Sequence, residues 1–230
     1  KMQRNQLDYY DLNGAEVIVA RTGYTGEEIG YELLVHPDDE PKLWDDLLEK
    51  GAEYGIKPAG LGARDSTRIE AGLPLYGHEL SGPDEILPTE AGFGTYVKFH
   101  KPYFIGRDRY KEKAKSFLHV DNKVVRFEVT QEGARMIREE SPVFDERGKY
   151  LGYVTSCAKI GGGQVGMAYV NKGRKTSEGK KVHIVPSFAG KDRTEIDIGP
   201  GGRMPLAYEA EILPRFPETD QGVPGMESNE

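Results

Sequence analysis

A chain of 230 residues with a net charge of −7, 37% hydrophobic and 30% charged, has the size and composition of a soluble globular protein of one large domain or two smaller ones. The acidic balance gives no electrostatic footprint for nucleic acid or an anionic membrane, and no apolar run approaches the length that spans a bilayer. The single cysteine, Cys157, excludes an internal disulfide framework and points to a reducing compartment.

In chain order, β-branched residues cluster in Ala15-Glu16-Val17-Ile18-Val19-Ala20 after an Asn13-Gly14 turn, which predicts a strand. A second strand is predicted over residues 29–35, with Tyr31, Leu33 and Val35 on one face and Gly30, Glu32 and Leu34 on the other. The glycines at 23 and 26 make the turn between them. Pro37, Asp38 and Asp39 open a helix whose acidic first turn suits the dipole; its apolar stripe is Leu43, Trp44, Leu47 and Leu48, and Gly51 ends it. Residues 58–71 form a second helix, opened by Gly60 and Gly62 and closed by Gly72, and residues 73–75 a short strand. Residues 14–76 therefore read β-β-α-α-β, an α+β unit on an antiparallel sheet. Residues 81–89 are a loop, marked by Gly82, Pro83 and Pro88, and residues 107–115 a short charged helix.

From Lys123 the texture changes to short strands at 124–129, 150–154, 164–170, 181–185 and 207–213, separated by turn signals. That spacing predicts a small β-barrel or sandwich. The expected domains are 1–115, an α+β region, and 123–216, a β-barrel, with a disordered tail over 217–230 where Glu, Asp, Gly, Pro and Ser dominate.

Little of the chain points to conventional chemistry. His36, His78, His100, His119 and His183 are scattered, with no metal-ligand spacing, so no metal is expected. Gly161-Gly162-Gly163 lacks the Lys-Ser/Thr of a phosphate loop and reads as a hairpin turn. Cys157 has no basic neighbour closer than Lys159 and reads as a packed thiol. Glu32 and Arg64 stand out, because each is an ionisable group in an apolar or glycine-punctuated segment, where a charge needs a partner. Glu32 is either a solvent-facing carboxylate on an edge strand or the bidentate acceptor of an amidine-like ring edge such as a pterin's. Arg64 is either a structural partner of Asp65, Glu70 or Glu32, or a fork for a ligand carboxylate or carbonyl.

Four motifs carry a resemblance. Arg21-Thr22-Gly23-Tyr24-Thr25-Gly26-Glu27 is followed by Gly30-Tyr31-Glu32. Gly60-Leu61-Gly62-Ala63-Arg64-Asp65 leads into Arg68-Ile69-Glu70-Ala71-Gly72-Leu73-Pro74-Leu75-Tyr76-Gly77-His78-Glu79-Leu80. Glu90-Ala91-Gly92-Phe93-Gly94 completes the set. Together they closely resemble the T-protein family of the glycine cleavage system, the tetrahydrofolate-dependent aminomethyltransferases, over roughly residues 14–216. Phe104-Ile105-Gly106-Arg107 and Leu151-Gly152-Tyr153-Val154-Thr155-Ser156 are similar to that family's later landmarks.

The resemblance implies an antiparallel-sheet folate-binding unit followed by a small C-terminal β-barrel. It implies transfer of an aminomethyl group from a lipoyl carrier protein to tetrahydrofolate, in the cytoplasm or, in a eukaryote, the mitochondrial matrix. It places folate on Glu32 and Arg64, with Tyr24 in the matching turn. Two other functions fit the same motifs: a folate-dependent demethylase acting on an N-, O- or S-methyl donor, and a non-catalytic folate-binding or subunit-contact module.

Departures from the pattern are local. The stretch from Glu27 to Tyr31 is one residue longer, the 81–89 loop is longer, and Pro214-Arg215-Phe216-Pro217 replaces a tyrosine-bearing close. The family's N-terminal segment, with its catalytic aspartate, has no counterpart here. The catalytic group is therefore left unassigned, and a partner chain carrying that segment is an expectation.

Overall fold

The computed structural model describes residues 2–113, 120–186 and 206–217. By contacts the chain divides into two compact units, which meet in sequence after Arg68.

In the first unit β1 (Leu7–Leu12), β2 (Ala15–Ala20) and β3 (Glu32–Val35) form an antiparallel sheet in the order β1-β2-β3. Asn13 (φ 57) and Gly14 (φ 86) join β1 to β2 in a two-residue turn; left-handed backbone at both positions matches the twist of the flanking strands. β1 was not among the predicted strands. All its residues except Leu12 are exposed, so it lacks the apolar alternation that reveals a strand and is defined by its ladder to β2. β3 begins at Glu32 rather than at residue 29, because the ladder to β2 ends with the pair Ala20↔Glu32.

Helix α1 (Glu40–Gly51) covers one face of this sheet. Leu43 is buried with Ala15 and Val17, and Leu12, Val19, Leu33 and Val35 pack around them. The rest of the predicted stripe is only partly used: Trp44 and Leu47 stay exposed. Gly51 does not stop the chain turning, since a 3-10 turn over Ala52–Tyr54 follows and Gly55, at φ 76, ends it. Helix α2 (Leu61–Glu70) carries the junction between the units.

The second unit is a closed antiparallel barrel. Its strands β4 (Asn122–Val129), β5 (Pro142–Phe144), β6 (Tyr150–Ile160), β7 (Gly163–Asn171), β8 (Lys181–Ile184) and β9 (Tyr208–Leu213) run in the order β4-β7-β6-β5-β8-β9. An α+β chain ending in a small barrel is thus the observed fold. Alternation places Val125, Phe127 and Val129 of β4 and Ala168 and Val170 of β7 in the interior. A bulge between Val154 and Ser156 switches the faces of β6, so Val154 and Cys157 point inward while Ser156 and Ala158 face out.

Outward-facing residues on this side are also buried. Ile69, Ile86 and Ala91 pack on Val124, Ala158, Met167 and Tyr169. The strand expected at 73–75 is absent; Leu73 and Pro74 are buried without forming a strand, and the stretch is fixed to the barrel through Glu79. Glu79 is fully buried, accepts a hydrogen bond from Ser156 Oγ at 2.5 Å and holds the Leu75 N–H at 3.1 Å. Glu90 accepts from Tyr169 Oη at 2.6 Å and from the Leu87 N–H at 2.7 Å. Arg215 donates to the carbonyls of Gly72 and Ala91, tying the end of the described chain to the same segment. Helix α3 (Arg107–Lys113) buries Tyr110, whose hydroxyl meets Thr89 Oγ1 at 2.5 Å.

The boundary expected at 116–122 lies largely outside the described residues, as does the tail beyond Pro217.

Candidate functional site

The 21–31 connection between β2 and β3 carries the first motif, and its side chains contact both singled-out charges. Glu32, first residue of the edge strand β3, is exposed and lies on the sheet face away from α1, as Leu33 and Val35 pack inward. Thr22 Oγ1 donates a hydrogen bond to Glu32 Oε2. Among the described residues the carboxylate accepts no other, so Oε1 and the outer lone pairs of Oε2 are open to a donor from solvent. The solvent-facing alternative thus describes its position, and that position leaves it able to bind a ligand.

Arg64, in the first half of α2, lies over the ring of Tyr24 with its guanidinium carbon 5.6 Å from the centroid, within cation–π range. None of the three proposed carboxylate partners holds it. Asp65 pairs with Arg68 at 2.7 Å instead, and Glu70 acts on Arg126. Among the described residues Arg64 forms no ion pair. Its charge is placed by a flat aromatic face, which leaves the N–H edges free.

Tyr24 and Thr22 are two residues apart in one turn. A single segment therefore supports both the carboxylate and the guanidinium. Sequence reasoning named Tyr24, Glu32 and Arg64 but gave Thr22 no role, although it stands in the same motif; only strand pairing reveals that it reaches Glu32.

Two cavities lie elsewhere. One of about 410 Å³ in the first unit is lined by Leu12, Leu43, Leu47, Tyr54 and Ile56. Another of about 390 Å³ at the barrel is lined by Val129, Glu132, Lys159 and Gln164. Neither is lined by Glu32, Arg64 or Tyr24. Glu32 and Arg64 are exposed and Tyr24 is half-buried.

The remaining candidates have structural roles. Burial pushes the Cys157 thiol up to about 12, the behaviour of a packed, unreactive cysteine. His78 is paired: its Nδ1 lies 2.9 Å from Glu139 Oε1. Gly161 (φ 57) and Gly162 (φ 98) form the turn between β6 and β7, as expected for a hairpin. Among the described residues no three His, Cys, Asp or Glu side chains are placed to hold a metal, and no helix is long and apolar enough to cross a membrane.

Residues 2–101 match the family model described as the GCVT N-terminal domain. An aminomethyltransferase of Streptomyces avermitilis is 41% identical over 218 residues, which cover 91% of this chain and 53% of that protein. One from a Thermoanaerobacter species is 45% identical over 149 residues, 65% of this chain and 38% of that protein. The crystal structure of the glycine cleavage system aminomethyltransferase T from Bartonella henselae superposes with a TM-score of 0.65 at 25% identity, covering 86% of this chain and 48% of that one. The chain spans about half the length, or less, of the curated relatives it matches. It belongs to the T-protein family of the glycine cleavage system.

Proposed function

We propose that the chain contributes a folate-binding wall to a tetrahydrofolate-dependent aminomethyltransferase of the glycine cleavage system. Residues 1–115 belong to the folate-binding region of that enzyme and 123–216 to its barrel domain. The supporting observation is one motif-bearing turn whose Thr22 holds an otherwise open Glu32 carboxylate and whose Tyr24 ring lies under Arg64, an arginine that forms no ion pair among the described residues. The two groups suit the two ends of a folate. The pterin presents adjacent N–H and amino groups, which a carboxylate receives through two parallel charge-assisted hydrogen bonds. The tail carries carboxylates, which a guanidinium fork matches.

In the proposed reaction an aminomethyl group on the lipoyl arm of a carrier protein is attacked by a tetrahydrofolate nitrogen. The carbon leaves the lipoyl sulfur, ammonia departs, and 5,10-methylenetetrahydrofolate and the dihydrolipoyl thiol are formed. This chain's residues bind and orient: Glu32 holds the pterin edge, Arg64 the tail, and Tyr24 keeps Arg64 in place. Fixing the folate nitrogen against the incoming carbon is a proximity contribution to the rate. No residue of the chain is assigned the acid–base role.

Titration of tetrahydrofolate into the protein and its Glu32→Gln variant tests the assignment. Gln keeps the shape but turns one acceptor into a donor that faces an N–H. The expected loss is about 1.5–3 kcal/mol, or roughly ten- to hundredfold in Kd. Equal affinity in the two proteins would remove Glu32 from the site.

A further inference from the structure

Among the described residues Thr22 gives the one hydrogen bond that the Glu32 carboxylate accepts, and the local backbone register brings the two together. The β2–β3 register pairs Val17 with Val35, Ile18 with Leu34, Val19 with Leu33 and Ala20 with Glu32. Continued by two residues, it sets Gly30 opposite Thr22. A glycine there leaves open the space that a side chain would fill, and the half-buried Thr22 side chain turns along the strand to reach the carboxylate of residue 32. The two arms are close: a Cβ on Gly30 would lie 3.0 Å from the Thr22 carbonyl oxygen and 3.5 Å from the Gly23 Cα.

An exposed glutamate has three side-chain torsions to order when it grips a planar ligand, and that ordering opposes binding. A β-branched residue is stiff at χ1, so its hydroxyl is a fixed donor. By holding Oε2 it sets the plane of the carboxylate before the ligand arrives, and it leaves the other oxygen unengaged.

We propose that Thr22 is a positioning residue of the ligand site, acting through Glu32 and not on the ligand. The inference rests on the assignment of Glu32 as a folate contact. It makes the Thr22–Glu32 pair a unit: the threonine matters only while a carboxylate stands at position 32.

The test is a double-mutant cycle on the full chain, with tetrahydrofolate as the probe and thermal unfolding as a second readout. Thr22→Val, Thr22→Ser, Glu32→Gln and the double variant Thr22→Val/Glu32→Gln are compared with the parent. Thr22→Val should weaken binding by about three- to tenfold in the parent background, the scale of one ordinary net hydrogen bond, since the threonine acts only through Glu32. It should change affinity by less than about twofold in the Glu32→Gln background. Thr22→Ser, which restores the hydroxyl, should bind within about twofold of the parent, and melting temperatures should stay together.

Parental affinity in Thr22→Val beside weakened binding in Glu32→Gln would overturn the inference and leave the role of Glu32 standing. An equal loss from Thr22→Val in both backgrounds would also overturn it, since the threonine would then act independently of the carboxylate. Parental affinity in Glu32→Gln, or no binding by the parent, would instead overturn the folate assignment itself.

Discussion

Asp145 shows how a buried charge is held in the barrel. Its carboxylate ion-pairs with Lys175 and accepts the N–H groups of Arg147 at 2.8 Å and Lys149 at 2.9 Å. Burial alone would raise the Asp145 carboxyl. The Lys175 ammonium and the two backbone donors outweigh burial and hold it below the ordinary 3.8. The folded state therefore prefers the ionised form more than the unfolded chain does. The resulting stabilisation is fully present above the unfolded value near 3.8, and it is lost as pH falls through the lower folded value. Asp145→Asn removes this linkage. Melting temperatures of parent and variant, followed from about pH 5 to pH 3, should converge as the pH drops. Parallel curves across that range would mean that Asp145 is no more ionised in the folded state than in the unfolded one.

Glycines in and beside α2 separate two uses of the same residue. Gly72 sits just beyond the helix at φ 72, and an added Cβ would lie 2.6 Å from the Arg215 carbonyl oxygen, so both backbone and packing require glycine. Gly62, inside α2, has no atom within 4 Å of where a Cβ would stand. Gly72→Ala should destabilise the chain by about 1–3 kcal/mol, from left-handed strain plus displacement of Arg215. Gly62→Ala should stabilise it by about 0.5–1 kcal/mol through the unfolded chain's lost freedom. Urea midpoints with unchanged slopes measure both, and the same sign of effect for the two substitutions would refute this account.

The same neighbourhood shows how far elements can be read from sequence. β2, β4 and β7 are legible as short strand-forming runs between turn signals, α1 by its 3.6-residue spacing and α2 by the glycines that bound it. β1 and β5 do not. Leu7–Leu12 is almost wholly exposed, and Pro142–Phe144 is buried on every residue, so neither alternates. β6 runs to Ile160 rather than ending at 154 as expected, since its pairing with β7 continues past the bulge after Val154 that breaks its period. At the candidate site, Glu32 and Arg64 were legible as odd residues in their segments, and Tyr24 through the family resemblance alone. Arg64 stacking on Tyr24 and Thr22 reaching Glu32 were not, because both depend on how the 21–31 connection folds back.

At the scale of the whole chain, the two units are stabilised very unequally. The barrel core joins Phe127, Val154, Val170, Ile184, Ile212 and further fully buried residues, and it is backed on its outer face by a second cluster around Met167. The first unit has Ala15, Val17 and Leu43 as its only buried cluster among the described residues, and it leaves Leu34, Trp44, Leu47 and Ile56 exposed. Apolar burial at about 25 cal/mol per Å² then favours the barrel strongly. Local opening free energies should follow that ranking. Trp44 is the sole tryptophan and belongs to α1, so its fluorescence reports on the first unit alone. In rising urea, the Trp44 transition should precede loss of amide protection in β4, β6 and β7, and amides of β1 to β3 should exchange faster than those strands in native buffer. A ligand that engages Glu32 and Arg64 should move the Trp44 midpoint upward and the barrel midpoint little, since binding stabilises the unit that holds the site. Coincident transitions without ligand would show that the two units unfold as one cooperative body, and the first unit would then draw stability from more than its own core.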